Sequence, residues 1–244
     1  MITSVENPRV KEVLRLRKAR ERRRAGLFLA EGRREVERAL AAGLVVRSVY
    51  VAPELIPDWP GGEEVSARVL AKMSYRAEPE GVLAVVEIPQ RPLPEGSTLL
   101  LVAVGIEKPG NLGAMARTAD AAGADALLVA GAHVDPWNPN AVRASTGAVF
   151  MLPIVEATRD EIAALPHPKV AAVLGASRRH TDADYSEPVA FLIGAEDDGL
   201  SAEWRAIADV EVEIPMRGAA ADSLNASAAA AVLLFEAVRQ RASG

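Results

Sequence analysis

Four short apolar runs constrain this chain more than anything else in it. Leu99–Val104, Ala126–Ala130, residues 170–174 and Val189–Ile193 each span five or six residues without a polar position. Such runs suit buried strands, and the helix-length segments between them suit an α/β domain. All four run straight into glycine, at Gly105, Gly131, Gly175 and Gly194. A fifth strand, residues 210–214, alternates apolar residues with Glu211 and Glu213 and stops at Pro215. A small-residue loop over 217–222 follows. The last helix then opens at or just before Ser223, with Leu224, Ala228, Ala231, Phe235 and Val238 at helical spacing.

Strand, glycine loop and helix is the arrangement by which an α/β sheet presents a ligand site at a strand's carboxyl end. The loop after Val104 spans 105–113 and leads into a helix with a small-residue face of Ala116, Ala119 and Ala122, stopped by Gly123. It contains neither GxGxxG nor GxxxxGK[ST], so neither a dinucleotide fingerprint nor a P-loop is present. Asn111 suits a helix cap, and Arg117, six residues on, suits a surface charge. The loop after Ile193 brackets Glu196 between Gly194 and Gly199. If the strands are parallel, the loops after Val104, Ile193 and Met216 converge on one edge. They bring together one cation, one carboxylate, amides and hydroxyls, with Ser223, Asn225 and Ser227 among them. Backbone N–H and C=O groups of the Gly and Ala residues there can approach a ligand closely. Residues 133–150 carry Asp135, Asn138, Asn140, Arg143 and Ser145 on a Pro-broken loop and a short helix. No GxSxG elbow supports a serine hydrolase. His133, His167 and His180 lack metal-ligand spacing and read as structural or exposed, so no metal is expected.

The first 90 residues differ in charge. They hold 16 Lys and Arg against 13 Asp and Glu, a balance of +3, while the remainder holds 12 against 20, a balance of −8. Between Arg9 and Arg24 stand nine basic and two acidic residues, with Val10, Val13, Leu14 and Leu16 forming part of an apolar helical stripe. This reads as one helix with a basic outer face. It is the candidate for a polyanion through Arg9, Lys11, Arg17, Lys18 and Arg22, with Arg143 as a further cation. A short apolar segment at 26–32, a helix over 33–42 and strands over 44–51 and 82–88 complete a small α/β unit. Gln90, Arg91, Pro92 and Pro94 form a stiff polar connection. The expected organisation is 1–90 as one domain, 91–98 as linker and 99–244 as the second.

The chain has 244 residues and no cysteine, which excludes disulfides and thiolate chemistry and fits a reducing compartment. Its charged amino terminus does not read as a signal peptide, and no apolar run is long enough to span a bilayer. The expectation is a soluble, cytoplasmic protein.

Three clusters, taken together, resemble the signature motifs of the SpoU (TrmH-like) ribose 2′-O-methyltransferases of the SPOUT class. These are Asn111-x-Gly113-x-x-x-Arg117, then Gly194-x-Glu196-x-x-Gly199-Leu200, then Ile214-Pro215-Met216 with Ser223-Leu224-Asn225. Asn7-Pro8-x-Val10-Lys11 and Phe28-Leu29-x-Glu31-Gly32 resemble the substrate-binding domain of that family, similar in fold to small kink-turn-binding ribosomal proteins. Two positions depart from the pattern, Glu107-Lys108 before the first motif's proline and Ala226 after Asn225.

The resemblance implies a parallel-sheet α/β domain with a deep C-terminal trefoil knot, preceded by a small α/β/α RNA-binding domain. S-adenosylmethionine would be held near Leu174, Gly175, Gly194, Ile214, Met216, Ser223 and Leu224. Arg117, Asn111, Glu196, Ser223 and Asn225 would form the catalytic set, with Asn111 and Glu196 positioning Arg117 and the substrate. Arg117 would act as a phosphate or oxyanion clamp or, in a contested role, as a base. The implied substrate is structured RNA, ribosomal before transfer RNA, and the implied assembly a homodimer whose interface completes the site. A non-catalytic RNA-binding protein that keeps the fold, and an α/β domain for another nucleotide, are the competing readings.

Overall fold

The computed structural model describes residues 1–131, 134–218 and 222–242. The chain forms two compact units, Met1–Gln90 with Asp135–Phe150, and Arg91–Val134 with Met151–Gly244. Asp135–Phe150 falls within the expected second domain, 99–244, but by its contacts it belongs to the first unit.

The first unit contains α1 (Pro8–Arg15), α2 (Ala19–Ala25), β1 (Leu27–Glu31), α3 (Arg33–Ala41), β2 (Val46–Val51), β3 (Glu63–Glu64), α4 (Ala67–Met73) and β4 (Val82–Glu87). Its sheet runs β1-β4-β2-β3, with β4 antiparallel to both β1 and β2. Strand β4 is central and almost wholly buried, which is why its sequence VLAVVE shows no alternation. Helix α1 starts with Pro8 in its first turn and Asn7 as cap, its Oδ1 accepting from the Arg9 N–H at 2.9 Å. Val10, Val13 and Leu16 pack with Val69, Leu70 and Met73 of α4 in the core of this unit.

The basic stretch is two helices, not the single helix expected. The break over 16–18 has a cause distant in sequence. Arg22 is buried, 1 % exposed, and donates from Nη1 to the Leu16 carbonyl at 2.7 Å. A continuous helix would give that carbonyl to a backbone N–H four residues on. The Arg22 guanidinium also grips Asp135, with Nε 2.7 Å and Nη2 2.5 Å from Oδ2. Asp135 accepts the Trp137 N–H as well, and the Trp137 and Phe150 rings lie 4.9 and 5.8 Å from Phe28 on β1. Segment 135–150 is thus held to the first unit by one buried ion pair and an aromatic cluster.

The second unit contains β5 (Leu99–Val104), α5 (Pro109–Ala121), β6 (Ala126–Ala130), β7 (Ile154–Glu156), α7 (Arg159–Ala163), β8 (Lys169–Ala172), β9 (Val189–Ile193), α8 (Ala202–Arg205), β10 (Val210–Val212) and α9 (Ala226–Ala242), with α6 (Pro139–Ala144) belonging to the first. Six parallel strands run in the order β10-β8-β9-β5-β6-β7. Every residue of β5, β6 and β9 is buried, so both faces of the sheet centre are covered. Helix α9 packs on α5 and β9. The chain proceeds outward from β5 through β6 to β7, then returns to the other side of β5 for β8 to β10. The loops leaving β5 and its neighbour β9 therefore open a crevice at their carboxyl ends. Among the described residues no helix is long and apolar enough to cross a membrane.

Candidate active site

Two loops and a helix cap meet in that crevice. After β5, Gly105 takes a left-handed conformation and donates its N–H to the Ala130 carbonyl, turning the chain toward α5. Helix α5 begins at Pro109 with Lys108 at its cap position, which places Asn111 in the first turn. After β9, the loop folds back so tightly that Ala195 pairs with Gly199, whose N–H donates to the Ala195 carbonyl at 3.0 Å. A Cβ on Gly194 would sit 2.3 Å from the Gly199 carbonyl carbon, so only glycine fits there. The fold-back carries Glu196 toward α5.

The Glu196 carboxylate gathers donors from three separate stretches. Its Oε1 accepts from Asn111 Nδ2 at 2.9 Å and from Asn225 Nδ2, and its Oε2 lies 2.5 Å from Lys108 Nζ. Asn225 Nδ2 also lies 3.2 Å from Asn111 Oδ1, while its own Oδ1 accepts the Ser227 N–H at 2.9 Å. Asn225 thereby caps α9 and ties it to the loop after β9. The Lys108 ammonium, with help from the Asn111 amide and the Ala226 N–H, holds the Glu196 carboxyl below the usual carboxylate range despite desolvation. Glu196 in turn raises Lys108. Glu196 is thus an anchored anion and Lys108 a persistent cation, and neither is set up to exchange protons near neutrality.

Beside this cluster lies a cavity of about 300 Å³. Leu174, Gly194, Ile214, Met216, Ser223 and Leu224, all expected around a cofactor, line it together with Glu196, Asp197 and Asp198. Its walls combine apolar side chains and loop backbone with these carboxylates and Arg205. Gly175 is the exception among the expected residues: it does not line the cavity, and its N–H donates to Glu213 Oε1 at 3.2 Å. Ser223 lines the cavity but does not begin the helix, since α9 starts at Ala226 behind the Asn225 cap. The helix expected from Ser223 thus starts three residues later. Of the small-residue loop, residues 219–221 lie outside the described residues, as does His133.

Other expected residues lie elsewhere. Arg117 is exposed on α5, and its side chain has no hydrogen bond or ion pair among the described residues. Six residues of helix turn it through about 240° from Asn111, so the two do not share a face. Asn111 and Glu196, expected to position Arg117, instead bind each other, Lys108 and Asn225. Of the cations expected to meet RNA, Arg9 pairs with Glu63 and Lys11 with Glu6, both exposed, and Lys18 is exposed at the start of α2. Arg17 lies over the Tyr75 ring, and Arg143 is exposed on α6, donating to Asn140 Oδ1 at 3.0 Å. Arg22 is corrected: buried against Asp135, it has no surface to offer. Ser145 is also fully buried, its hydroxyl donating to the Val142 carbonyl at 2.7 Å. His167 Nε2 and His180 Nδ1 face backbone carbonyls and so must donate to them. Lys108 was not among the expected site residues, although a cation inside a glycine loop before a helix-starting proline is a visible signal.

The comparisons with known proteins bear on this geometry. Residues 98–235 match the family described as SpoU rRNA Methylase family, and residues 7–84 match an MRM3-like substrate binding domain. A 23S rRNA (uridine(2479)-2′-O)-methyltransferase of Streptomyces viridochromogenes is 37% identical over 249 residues, covering 92% of this chain and 86% of that one. A crystal structure of an RNA 2′-O ribose methyltransferase superposes with a TM-score of 0.84 at 43% identity, covering 99% of both chains. The SpoU methyltransferase AviRb of Streptomyces viridochromogenes, in complex with the cofactor AdoMet, superposes at 0.85 with 34% identity over 98% of this chain and 100% of that one. The parallel sheet, its glycine loops and the matched span agree, and the chain belongs to the SpoU rRNA methylase family.

Proposed function

We propose that this protein transfers a methyl group from S-adenosylmethionine to a ribose 2′-hydroxyl of structured RNA, ribosomal RNA in the first place. The observation that carries the reading is the cavity beside the Glu196, Asn111, Asn225 and Lys108 cluster, in a chain of this family. The cavity suits the cofactor. Leu174, Ile214, Met216 and Leu224 offer apolar contact to a flat base, while the loop backbone around Gly194 offers hydrogen bonds. When bound, the cofactor supplies an electrophilic sulfonium methyl.

The chain's own groups then have two tasks, positioning the ribose and countering charge as its hydroxyl loses a proton. Glu196 positions the site: its carboxylate is committed to three side chains and its lowered pKa makes it a poor base. Lys108 and Arg117 are cations suited to a ribose phosphate or the developing oxyanion. Arg117 points away from the cluster within one chain, which favours a homodimer through the second unit in which it serves the other protomer's site. Threading of the chain after β10 into a trefoil knot accords with the segments that follow β8, β9 and β10 lining one cavity. Residues 1–90 would supply RNA affinity and residues 99–244 the chemistry. An RNA-modifying enzyme of this kind would work in the cytoplasm.

The test is transfer of labelled methyl from S-adenosylmethionine, in excess EDTA, to deproteinised ribosomal RNA and separately to transfer RNA. Label in the ribosomal fraction at a 2′-O position is the expected result. Label only in transfer RNA redirects the substrate, and no label in either favours an RNA-binding protein that keeps the fold.

A further inference from the structure

Tyr75 stands out in the first unit. Aromatic residues make up 4% of the chain, and most of their rings are in the core, yet Tyr75 is 38% exposed. The loop that carries it is anchored from beneath. The Tyr75 and Arg76 N–H groups donate to the buried Glu31 carboxylate at 2.8 and 3.2 Å, and Arg76 Nη2 reaches Glu35 at 3.2 Å. The ring is therefore held outward by a fixed backbone. The Arg17 guanidinium lies 5.4 Å from its centroid, and Tyr75 shares a narrow cleft with Asn140 and Arg143. Arg17 acts through space on the buried Glu31 carboxylate without a close ion pair among the described residues, and Arg143 donates to the neutral Asn140 amide oxygen. Arg33 over Trp59 differs in being held in close ion pairs with Glu37 and Asp58. A rigidly held, half-exposed aromatic ring with one guanidinium over it and a second lining the same cleft matches the stacking face and phosphate charge of a single-stranded nucleotide.

We propose that Tyr75, with Arg17 and Arg143, forms a stacking site for one unpaired nucleotide of the RNA. The ring takes the base and the two guanidinium groups take the adjoining phosphates. This rests on the reading of the protein as RNA-directed and adds a binding residue to it.

The experiment measures affinity of the full-length protein for a short labelled oligoadenylate and for a fully paired RNA duplex of equal length, across a salt series. Tyr75→Ala should weaken oligoadenylate binding on the order of tenfold. It should leave duplex binding and the salt slope unchanged, and Tyr75→Phe should bind as the wild type does. Arg17→Ala and Arg143→Ala should each reduce the salt slope by about one phosphate contact. Calorimetric binding of S-adenosylmethionine by every variant should match the wild type. Unchanged oligoadenylate affinity in Tyr75→Ala overturns the proposal, and so does an equal loss for oligoadenylate and duplex. If the wild type methylates RNA and Tyr75→Ala binds normally, the stacking site alone is refuted. If the wild type binds oligoadenylate through Tyr75 but methylates nothing, the stacking site is supported and the enzymatic reading fails.

Discussion

Lys108 and Glu196 are 88 residues apart in sequence and in contact in the fold, Nζ to Oε2 at 2.5 Å. The pair sets the charge state of the crevice. Glu196 is depressed, so its contribution to stability is present above the unfolded carboxylate pKa and is lost as pH falls through the folded value. Lys108 is raised, so its contribution is present below the unfolded lysine pKa and is lost as pH rises through the folded one. Lys108→Met removes the largest cause of the Glu196 shift. The acid limb of kcat/KM should therefore move to higher pH in the variant, with the plateau near neutrality falling less than at the acid end. An acid limb that stays in place would show that Lys108 does not govern Glu196.

The Arg22 to Asp135 pair gives a stability prediction. Both groups are buried, and removing one partner leaves the other charge uncompensated. Asp135→Ala should cost about 3–5 kcal/mol. Arg22→Met combined with Asp135→Leu should recover much of that loss, because the desolvation cost disappears with the charges. Urea denaturation of the three variants decides the matter. A loss below about 1 kcal/mol for Asp135→Ala would mean that water reaches the pair.

These residues also show what a sequence reading can reach. Leu99–Val104, Ala126–Ala130 and Val189–Ile193 are legible residue for residue, because parallel strands covered on both faces carry uninterrupted apolar runs. The loop residues lining the cavity are legible through the resemblance of their motifs. The break in the basic helix is not, since it depends on a guanidinium whose carboxylate is 113 residues away. The same holds for Lys108, an ordinary surface lysine until Glu196 is brought to it. Ser223 and Asn225 both suit a helix cap, and only the geometry selects Asn225, whose amide is also wanted by Glu196.

Gly194 and Gly175 separate close packing from cofactor contact. Gly194→Ala forces a Cβ to 2.3 Å from the Gly199 backbone and must open the loop that carries Glu196. It should abolish calorimetric binding of S-adenosylmethionine while far-UV circular dichroism stays native. Gly175 has open space around its Cβ position but a φ of 73°, so alanine there adds backbone strain of about 1 kcal/mol without entering the cavity. Gly175→Ala should keep cofactor affinity within a few-fold. Tight binding by Gly194→Ala, or its loss in Gly175→Ala, would reverse these assignments.

Arg117 offers the most discriminating test. It is exposed, without a partner among the described residues, and off the face of α5 that meets Glu196. Arg117→Ala should then leave cofactor binding and thermal stability nearly unchanged, since an exposed arginine contributes little to folding. If it stabilises charge on the ribose or its phosphate, methylation should still fall on the order of 10²-fold, and Arg117→Lys should not restore it. Service to the other protomer's site makes a further demand. Arg117→Ala mixed with Gly194→Ala, each inactive alone, should exchange into dimers with one intact site, giving roughly a quarter of wild-type activity at random mixing. No recovery in subunits shown to exchange would confine Arg117 to its own chain's site. Near-normal activity of Arg117→Ala alone would make it a surface charge.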